Sequence, residues 1–186
     1  MVGHEGTVVA VEPGRSNLWF LRHHVSWNDV RNVRIVHAAV GATAGTVAFG
    51  GRGDSLAYQV GVGNCEVPLK SVAQIVSEQQ VAPPGVIKMD IEGHELDALE
   101  GALPLLGPDV ALLISVHSRQ LYDSCSKLLE GRGFKLFPSH EIQRRLSGEI
   151  AEWGGDHDLL AVGAARPIDE AAIASLPLMT GRVRDR

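Results

Sequence analysis

The chain of 186 residues has only two cysteines, no long apolar run and no tract of a single charge sign. Cys65 and Cys125 stand in unrelated contexts without a Cys-x-x-Cys spacing, so reduced thiols, usual in the cytoplasm, are expected rather than a disulfide. The longest apolar run, 110–114, is far shorter than the roughly 20 residues that a membrane helix needs. No basic region followed by an apolar one opens the chain, so no secretory signal is indicated. We therefore expect a cytoplasmic protein that does not span a membrane.

The charge balance also excludes some partners. Lys and Arg number 17 against 22 Asp and Glu, and the net charge of −5 includes no basic stripe, so nucleic acid is not an expected partner. A length of 186 residues with 45% hydrophobic residues suits one domain with its own core. We place that domain at residues 1–166 and a peripheral helix or tail at 167–186.

Several catalytic signatures are missing as well. The sequence has no Walker phosphate loop, no Gly-x-Ser-x-Gly elbow, no His-Glu-x-x-His motif and no zinc-ligand spacing. Covalent hydrolysis and zinc catalysis are therefore disfavoured.

Apolar, β-branched segments alternate with segments of helical periodicity. Strands are predicted at 7–11, 33–37, 65–68, 85–89, 110–116, 134–137 and 158–162, with a weak hairpin signal at 46–49. Helices are predicted at 71–77 and 121–130, and two more are expected to begin near Ser16 and Glu92. This order predicts an α/β fold with a doubly wound, mostly parallel sheet, in which the last two strands form an antiparallel edge pair.

Residues 87–95, Ile-Lys-Met-Asp-Ile-Glu-Gly-His-Glu, place acids where a strand gives way to a helix. The carboxyl ends of strands border the ligand crevice of open α/β sheets, so Asp90 and Glu92 are candidate catalytic residues. The alternative is that the acids only complement the helix dipole, but this does not explain Gly93, which costs about 1 kcal/mol against alanine in a helix. His94 fits a base, a metal ligand or a surface residue.

Other strand ends supply further candidates. Glu12 ends the first strand, where a carboxylate accepts hydrogen bonds from a ribose in nucleotide-binding folds, although a solvated loop acid has the same pattern. Ser115 and His117 end another strand and are candidate substrate contacts, with a structural histidine as the alternative. Arg52 in the glycine-rich segment 41–63 is a weaker candidate, since a solvated turn explains it equally well.

The Asp-x-Glu spacing leaves metal catalysis open. Carboxylate oxygens suit Mg²⁺ or Mn²⁺, so a metal-assisted hydrolase or transferase that uses Asp90, Glu92 and His94 is an alternative function.

Four sequence blocks together resemble the FkbM-family methyltransferases. They are Val-Val-Ala-Val-Glu-Pro (8–13), Val-His-Ala-Ala-Val-Gly (36–41), the segment 87–95 and Leu-Glu-Gly-Ala (99–102), within a similarity that covers most of residues 6–162. The resemblance implies a Rossmann-like class I methyltransferase fold and an O-methyltransferase that uses S-adenosylmethionine. Its acceptor would be a hydroxyl of a sugar or natural product, so a small molecule or glycan is the implied partner.

The resemblance also assigns roles to residues. Glu12 would hold the ribose of the cofactor, and the segment His37, Ala38 and Ala39 would border its adenine. Asp90 would lie near the sulfonium and the acceptor oxygen, with Glu92 and His94 around it. A divalent metal is compatible with these residues but is not expected.

Two departures from the family pattern qualify this assignment. An acid commonly occupies the position of Ser115, and family members begin with a strand, an Asp-x-Gly-x-Asn-x-Gly loop and a helix that this sequence does not contain. We therefore expect the fold to lack its first strand and helix, which leaves the edges of strands 7–11 and 85–89 unpaired. A chain of this kind is expected to bind S-adenosylmethionine weakly or not at all and to aggregate, and a catalytically inactive methyltransferase-like fragment is a third possible function.

Overall fold

The computed structural model describes residues 2–50, 59–61, 63–150, 153 and 157–169. Its contacts group the chain into two compact units. Unit 1 comprises Met1–Pro83 and Leu96–Leu105, and unit 2 comprises Pro84–Glu95 and Leu106–Arg186. Arg52 lies outside the described residues, and so does the predicted C-terminal helix or tail beyond residue 169.

Unit 1 begins with a parallel strand pair. β1 (Val8–Val11) pairs with β2 (Val33–Val36), and α1 (Arg15–Trp27) connects them. The helix begins one residue before Ser16, so the predicted Ser16 cap is wrong: the N-cap is Gly14, which has no side chain to accept a hydrogen bond. Leu18 is the buried residue of α1, as the predicted inward face requires.

A second sheet completes unit 1. Its strands are β3 (Ala39–Val40), β4 (Gly45–Gly50), β5 (Gln59–Val60) and β6 (Cys65–Lys70), in the order β3-β6-β4-β5. β4 is antiparallel to both of its neighbours, which confirms the hairpin signal at 46–49. α2 (Val72–Gln79) follows β6 and is capped by Ser71, whose Oγ accepts the N–H of Gln74 at 3.1 Å.

Unit 2 is built on a four-stranded sheet. Its strands are β7 (Val86–Met89), β8 (Ala111–Val116), β9 (Lys135–Pro138) and β10 (His157–Val162), in the order β7-β8-β10-β9. β7 and β8 are parallel, and β10 is antiparallel to both β8 and β9, which confirms the predicted antiparallel edge pair. The core of this unit is completely buried and includes Leu112, Ile114, Val116, Cys125, Leu129 and Leu159.

Two helices accompany this sheet. α4 (Arg119–Glu130) begins two residues before its predicted start, because the Oγ of Ser118 accepts the N–H of Leu121 at 3.2 Å and caps it. α5 (His140–Leu146) is a short helix that the sequence analysis did not predict.

α3 (Glu95–Ala102) begins later than its predicted start near Glu92, and a 3₁₀ turn (Leu103–Leu105) follows it. The reason lies in the backbone: Glu92 has φ +55° and Gly93 has φ +103°, values of the left-handed region that a right-handed helix cannot contain. Gly93 therefore serves a turn before the helix rather than a close approach within its first turn.

Taken together, the units are α/β as predicted. Parallel pairing joins β1 to β2, β3 to β6 and β7 to β8, whereas antiparallel pairs are more frequent than the sequence analysis expected because of β4 and β10. Among the strands described, β1 pairs with β2 alone and β7 with β8 alone. No helix in the described ranges is long and apolar enough to cross a membrane.

Candidate active site

The ends of β7 and β8 bring polar side chains together in unit 2. The two strands are parallel and adjacent, with Met89 opposite Ile114 in the register. Asp90 directly follows β7, and His117 directly follows β8. Because carboxyl ends of neighbouring parallel strands meet at one edge of a sheet, the strand order alone places these two residues side by side.

The turn after β7 adds a second carboxylate. The left-handed conformation of Glu92 costs about 1 kcal/mol for a residue with a Cβ, and it turns the chain before α3 begins. The Nε2 atom of His117 lies 3.6 Å from Oε2 of Glu92 and 3.9 Å from Oδ1 of Asp90. One potential ligand atom from each of the three residues lies within 4.8 Å of the other two. We call Asp90, Glu92 and His117, together with Glu95, the carboxylate–histidine cluster.

Glu95 supports the imidazole of this cluster from behind. Its side chain is completely buried at the start of α3, and its Oε1 lies 3.0 Å from Nδ1 of His117 and 3.1 Å from the backbone N of Gly93. Burial by itself raises the pKa of Glu95, but the hydrogen bonds from His117 and from the backbone outweigh it and hold the pKa below its usual value. Glu95 is therefore an acceptor, so His117 donates the N–H of Nδ1 to it, and the other ring nitrogen, Nε2, faces Asp90 and Glu92.

The immediate surroundings of Asp90 are exposed to solvent. Its side chain is 39% exposed, and its Oδ2 lies 3.3 Å from Nζ of Lys88, which is more exposed still. A pair this exposed contributes little stability, so Lys88 moderates the negative charge without fixing the carboxylate.

Other predicted residues of unit 2 have different positions. His94 is half-buried between Gly93 and Glu95, and the metal-capable group found among the described residues contains His117 in its place. Ser115 is buried and donates a hydrogen bond from Oγ to Oδ1 of Asp158 at 2.8 Å, across the antiparallel β8–β10 pair. Because its hydroxyl proton is donated to Asp158, Ser115 could contact a substrate only as a hydrogen-bond acceptor. This bond places the carboxylate of Asp158 directly beside Ser115.

Unit 1 contains the predicted cofactor-binding residues. Glu12 follows β1 and is half-buried; its Oε1 accepts the N–H of Gly14 at 2.6 Å. Burial raises the pKa of Glu12, and the hydrogen bonds from Gly14 and Asn17 and the nearby His37 only partly oppose this effect. The Nε2 of His37 lies 3.0 Å from the carbonyl oxygen of Pro13, which can only accept, so Nε2 is the donor.

Ala38 and Ala39 belong to the core of unit 1. Ala38 packs with Val36 and Ile75 in one buried cluster, and Ala39 packs with Phe49 and Val67 in another. Their methyl groups are therefore committed to the core, so a ligand contact in this segment would have to come from the backbone or from His37.

The sequence analysis did not assign roles to Glu95 as the partner of His117 or to Asp158 as the partner of Ser115. The sequence partly indicated a role for Glu95, because this residue is the last acid of the motif at 87–95. No sequence signal indicated Asp158 as the partner of Ser115, because this contact depends on the register of two strands whose residues are more than 40 positions apart in the chain.

Comparison with known proteins agrees with this architecture. The family model described as the methyltransferase FkbM domain matches residues 1–136. A crystal structure of the methyltransferase FkbM from Methylobacillus flagellatus KT superposes with a TM-score of 0.58 at 20% sequence identity, over 83% of this chain and 36% of the other. The chain thus spans about a third of that protein's length, and no curated protein matches it. The superposition confirms the predicted Rossmann-like class I methyltransferase fold, and the match over most of its length shows that the chain belongs to the FkbM methyltransferase family.

Proposed function

We propose that the chain takes part in S-adenosylmethionine-dependent methyl transfer to a hydroxyl group of a sugar or natural product, in the cytoplasm. The observation that carries the proposal is the hydrogen-bonded Glu95–His117 pair, which faces Asp90 and Glu92 at the ends of two parallel strands. Membership of a methyltransferase family favours this reaction over the metal-assisted hydrolysis that the sequence left open. Two free thiols are consistent with a cytoplasmic chain.

The residues at the end of β1 fit the proposed cofactor. A ribose offers two neighbouring hydroxyl donors, and Glu12 offers a carboxylate whose position is fixed by the N–H of Gly14. A Cβ on Gly14 would lie only 2.9 Å from Oε1 of Glu12, so a larger residue there would make this carboxylate shift. When bound, S-adenosylmethionine supplies an electrophilic methyl group on a positively charged sulfur.

The carboxylate–histidine cluster supplies what an alcohol acceptor requires. A hydroxyl oxygen is a weak nucleophile until its proton is accepted, and its reaction also requires alignment with the methyl carbon. With the methyl group supplied by the cofactor, the cluster would hold the acceptor hydroxyl and would accept its proton as the oxygen–carbon bond forms. Asp90, the most exposed member, is the residue that we assign to the acceptor hydroxyl.

Cofactor binding is tested by ligand-observed NMR with S-adenosylhomocysteine, since saturation transfer detects weak complexes. We expect transfer to the ribose and adenine protons with the parent chain and a loss of about tenfold in affinity for Glu12→Gln, which removes a charged acceptor. Glu66→Gln, an exposed change of the same type in unit 1, serves as the matched control. Absence of any transfer with the parent chain would refute cofactor binding.

Methyl transfer is tested with S-adenosylmethionine labelled in the methyl group and a panel of glycosides with free hydroxyls. We expect label in a methyl ether and a loss of at least about 100-fold for Asp90→Asn, as is typical of a missing proton acceptor. Glu130→Gln, an exposed change on α4, should retain the activity. Cofactor binding without transfer to any acceptor would instead identify a catalytically inactive domain.

A further inference from the structure

We propose that Asp90, Glu92 and His117 bind a single divalent cation with mixed oxygen and nitrogen preference, such as Mn²⁺. The inference deepens the proposed function, on which its catalytic role rests, but the binding itself is a property of unit 2 alone. Each of the three residues offers a ligand atom within 4.8 Å of the other two.

The distances fit a shared ion. Two atoms that each lie roughly 2.1 Å from one cation are about 3.0 Å apart when adjacent in an octahedron and about 4.2 Å apart when opposite. The observed separations of Nε2 of His117 from Glu92 and Asp90, 3.6 and 3.9 Å, lie between these limits. Small rotations of two carboxylates at a turn would therefore complete the coordination.

Glu95 is the independent observation that points to a cation. Its side chain is completely buried, and its Oε2 has no hydrogen-bond partner among the described residues. Burying a carboxylate that is incompletely paired costs several kcal/mol, so a positive charge nearby would compensate it. In proteins, a metal-binding histidine generally donates its other ring N–H to a carboxylate, and Glu95 accepts that bond from Nδ1 of His117.

The local charge balance supports the same conclusion. Asp90, Glu92 and Glu95 bring three carboxylates around one imidazole, and the cation described beside them is the exposed Lys88, which contacts the outer oxygen of Asp90. Two carboxylates and one imidazole form a ligand set intermediate between those preferred by Mg²⁺ and by Zn²⁺, which is why Mn²⁺ is the ion we name. In the proposed reaction, the ion would take the acceptor hydroxyl as a further ligand and lower its pKa, so that its proton would pass more readily to the oxygen of Asp90 that does not bind the ion. His117 would then act as a ligand and Glu95 as the residue that positions it.

The test is titration of the full chain with Mn²⁺ alone, followed by electron paramagnetic resonance, because protein-bound Mn²⁺ loses the sharp signal of the free ion. We expect one Mn²⁺ per chain and an increase of about tenfold or more in Kd for Asp90→Asn and for Glu92→Gln. Asp90 is exposed, so Asp90→Asn leaves folding intact, and Glu130→Gln is the matched control whose Kd should stay within about twofold.

A second readout identifies the histidine. Pulsed resonance should show modulation from a coordinated imidazole nitrogen that disappears in His117→Ala and persists in His94→Ala. The proposal would be overturned if the chain does not bind Mn²⁺. It would also be overturned if Mn²⁺ binds but none of the substitutions at Asp90, Glu92 and His117 weakens the binding. The Mn²⁺ titration contains neither cofactor nor acceptor, so it is independent of the methyl-transfer assay. A chain that binds Mn²⁺ but transfers no methyl group would refute only the proposed function. A chain that transfers the methyl group but does not bind Mn²⁺ would refute only the metal site.

Discussion

The buried carboxylate of Glu95 lies 3.0 Å from Nδ1 of His117 and fixes the ring so that its other nitrogen faces two further carboxylates. Glu95 begins α3 and His117 follows β8, so the contact joins the loop after β7 to the neighbouring strand. Such a carboxylate–imidazole pair raises the basicity of the outward nitrogen, whether that nitrogen binds a proton or a metal.

Glu95→Gln tests this positioning role. The amide oxygen of glutamine can still accept from Nδ1, but the negative charge that strengthens the bond is lost. We expect the Kd for Mn²⁺ to rise by about tenfold or more, measured by the same resonance titration.

A double variant separates this role from folding. If Glu95 acts through the imidazole, Glu95→Gln should have no further effect on metal binding when His117 is already replaced by alanine. If Glu95→Gln lowers the affinity for Mn²⁺ by the same factor in the parent chain and in His117→Ala, Glu95 does not act by positioning His117.

Glu12→Gln should separate stability from cofactor binding. The folded state raises the pKa of Glu12, so it binds this proton more tightly than the unfolded chain, whose carboxyl has a pKa near 4.5. Stability is therefore lost as the pH rises from the unfolded to the folded pKa, and the cost is fully present at neutral pH. Removing the charge should leave the melting temperature at pH about 7 unchanged or higher by about 2 °C, since solvent screens a half-buried group.

The pH dependence provides the control. Below pH about 4, Glu12 is mostly neutral in both the folded and the unfolded parent chain. The difference in melting temperature between Glu12→Gln and the parent chain should therefore vanish there. A variant that melts well below the parent at neutral pH would show that the charge stabilises unit 1.

The strands of this chain were predictable because each is a short run of apolar, β-branched residues that ends at a turn signal. The start of α3 was not predictable in the same way, because a left-handed glutamate is rare and Glu92 has no local signal for it.

The site was predictable in its location and only partly in its members. Asp90 and Glu92 follow a strand directly, so their sequence position places them at the sheet edge. The sequence analysis placed His94 with the catalytic residues and His117 only among the substrate contacts. The structure instead places His117 beside Asp90 and Glu92, because β7 and β8 pair in parallel. Whether a carboxylate such as Glu95 is exposed or buried behind a ring depends on packing that no sequence pattern encodes.

The two cysteines should differ sharply in reactivity. Burial, with the negative charge of Glu95 as a second cause, raises the pKa of Cys125 to about 12, whereas Cys65 is exposed. Only the thiolate reacts with iodoacetamide, so at pH about 8 we expect mass spectrometry of the folded chain to find alkylation at Cys65 and not at Cys125. Both should react after unfolding in guanidinium, and comparable rates at the two sites in the folded chain would contradict the burial of Cys125.

Gly101→Ala should destabilise unit 1 although alanine favours a helix. Gly101 lies in α3, and a Cβ there would be 2.2 Å from the carbonyl oxygen of Gly41, a backbone atom that cannot rotate away. Helix propensity alone would raise the free energy of unfolding of the variant by about 1 kcal/mol. The sign of the measured change therefore shows whether propensity or packing dominates. We expect packing to dominate and the free energy of unfolding to fall by about 1–3 kcal/mol in a urea titration.

The comparison variant is Gly107→Ala, where no atom lies within 4 Å of the added Cβ. This change should have little effect on unfolding, because it adds a methyl group in open space. Because Gly41 directly follows β3, whose Ala39 packs against Phe49 and Val67, displacement of Gly41 by the new methyl group should also loosen that core. If the core is loosened, the amide protons of Phe49 and Val67 should exchange faster in Gly101→Ala than in Gly107→Ala. Equal exchange rates in the two variants would show that only the helix is destabilised.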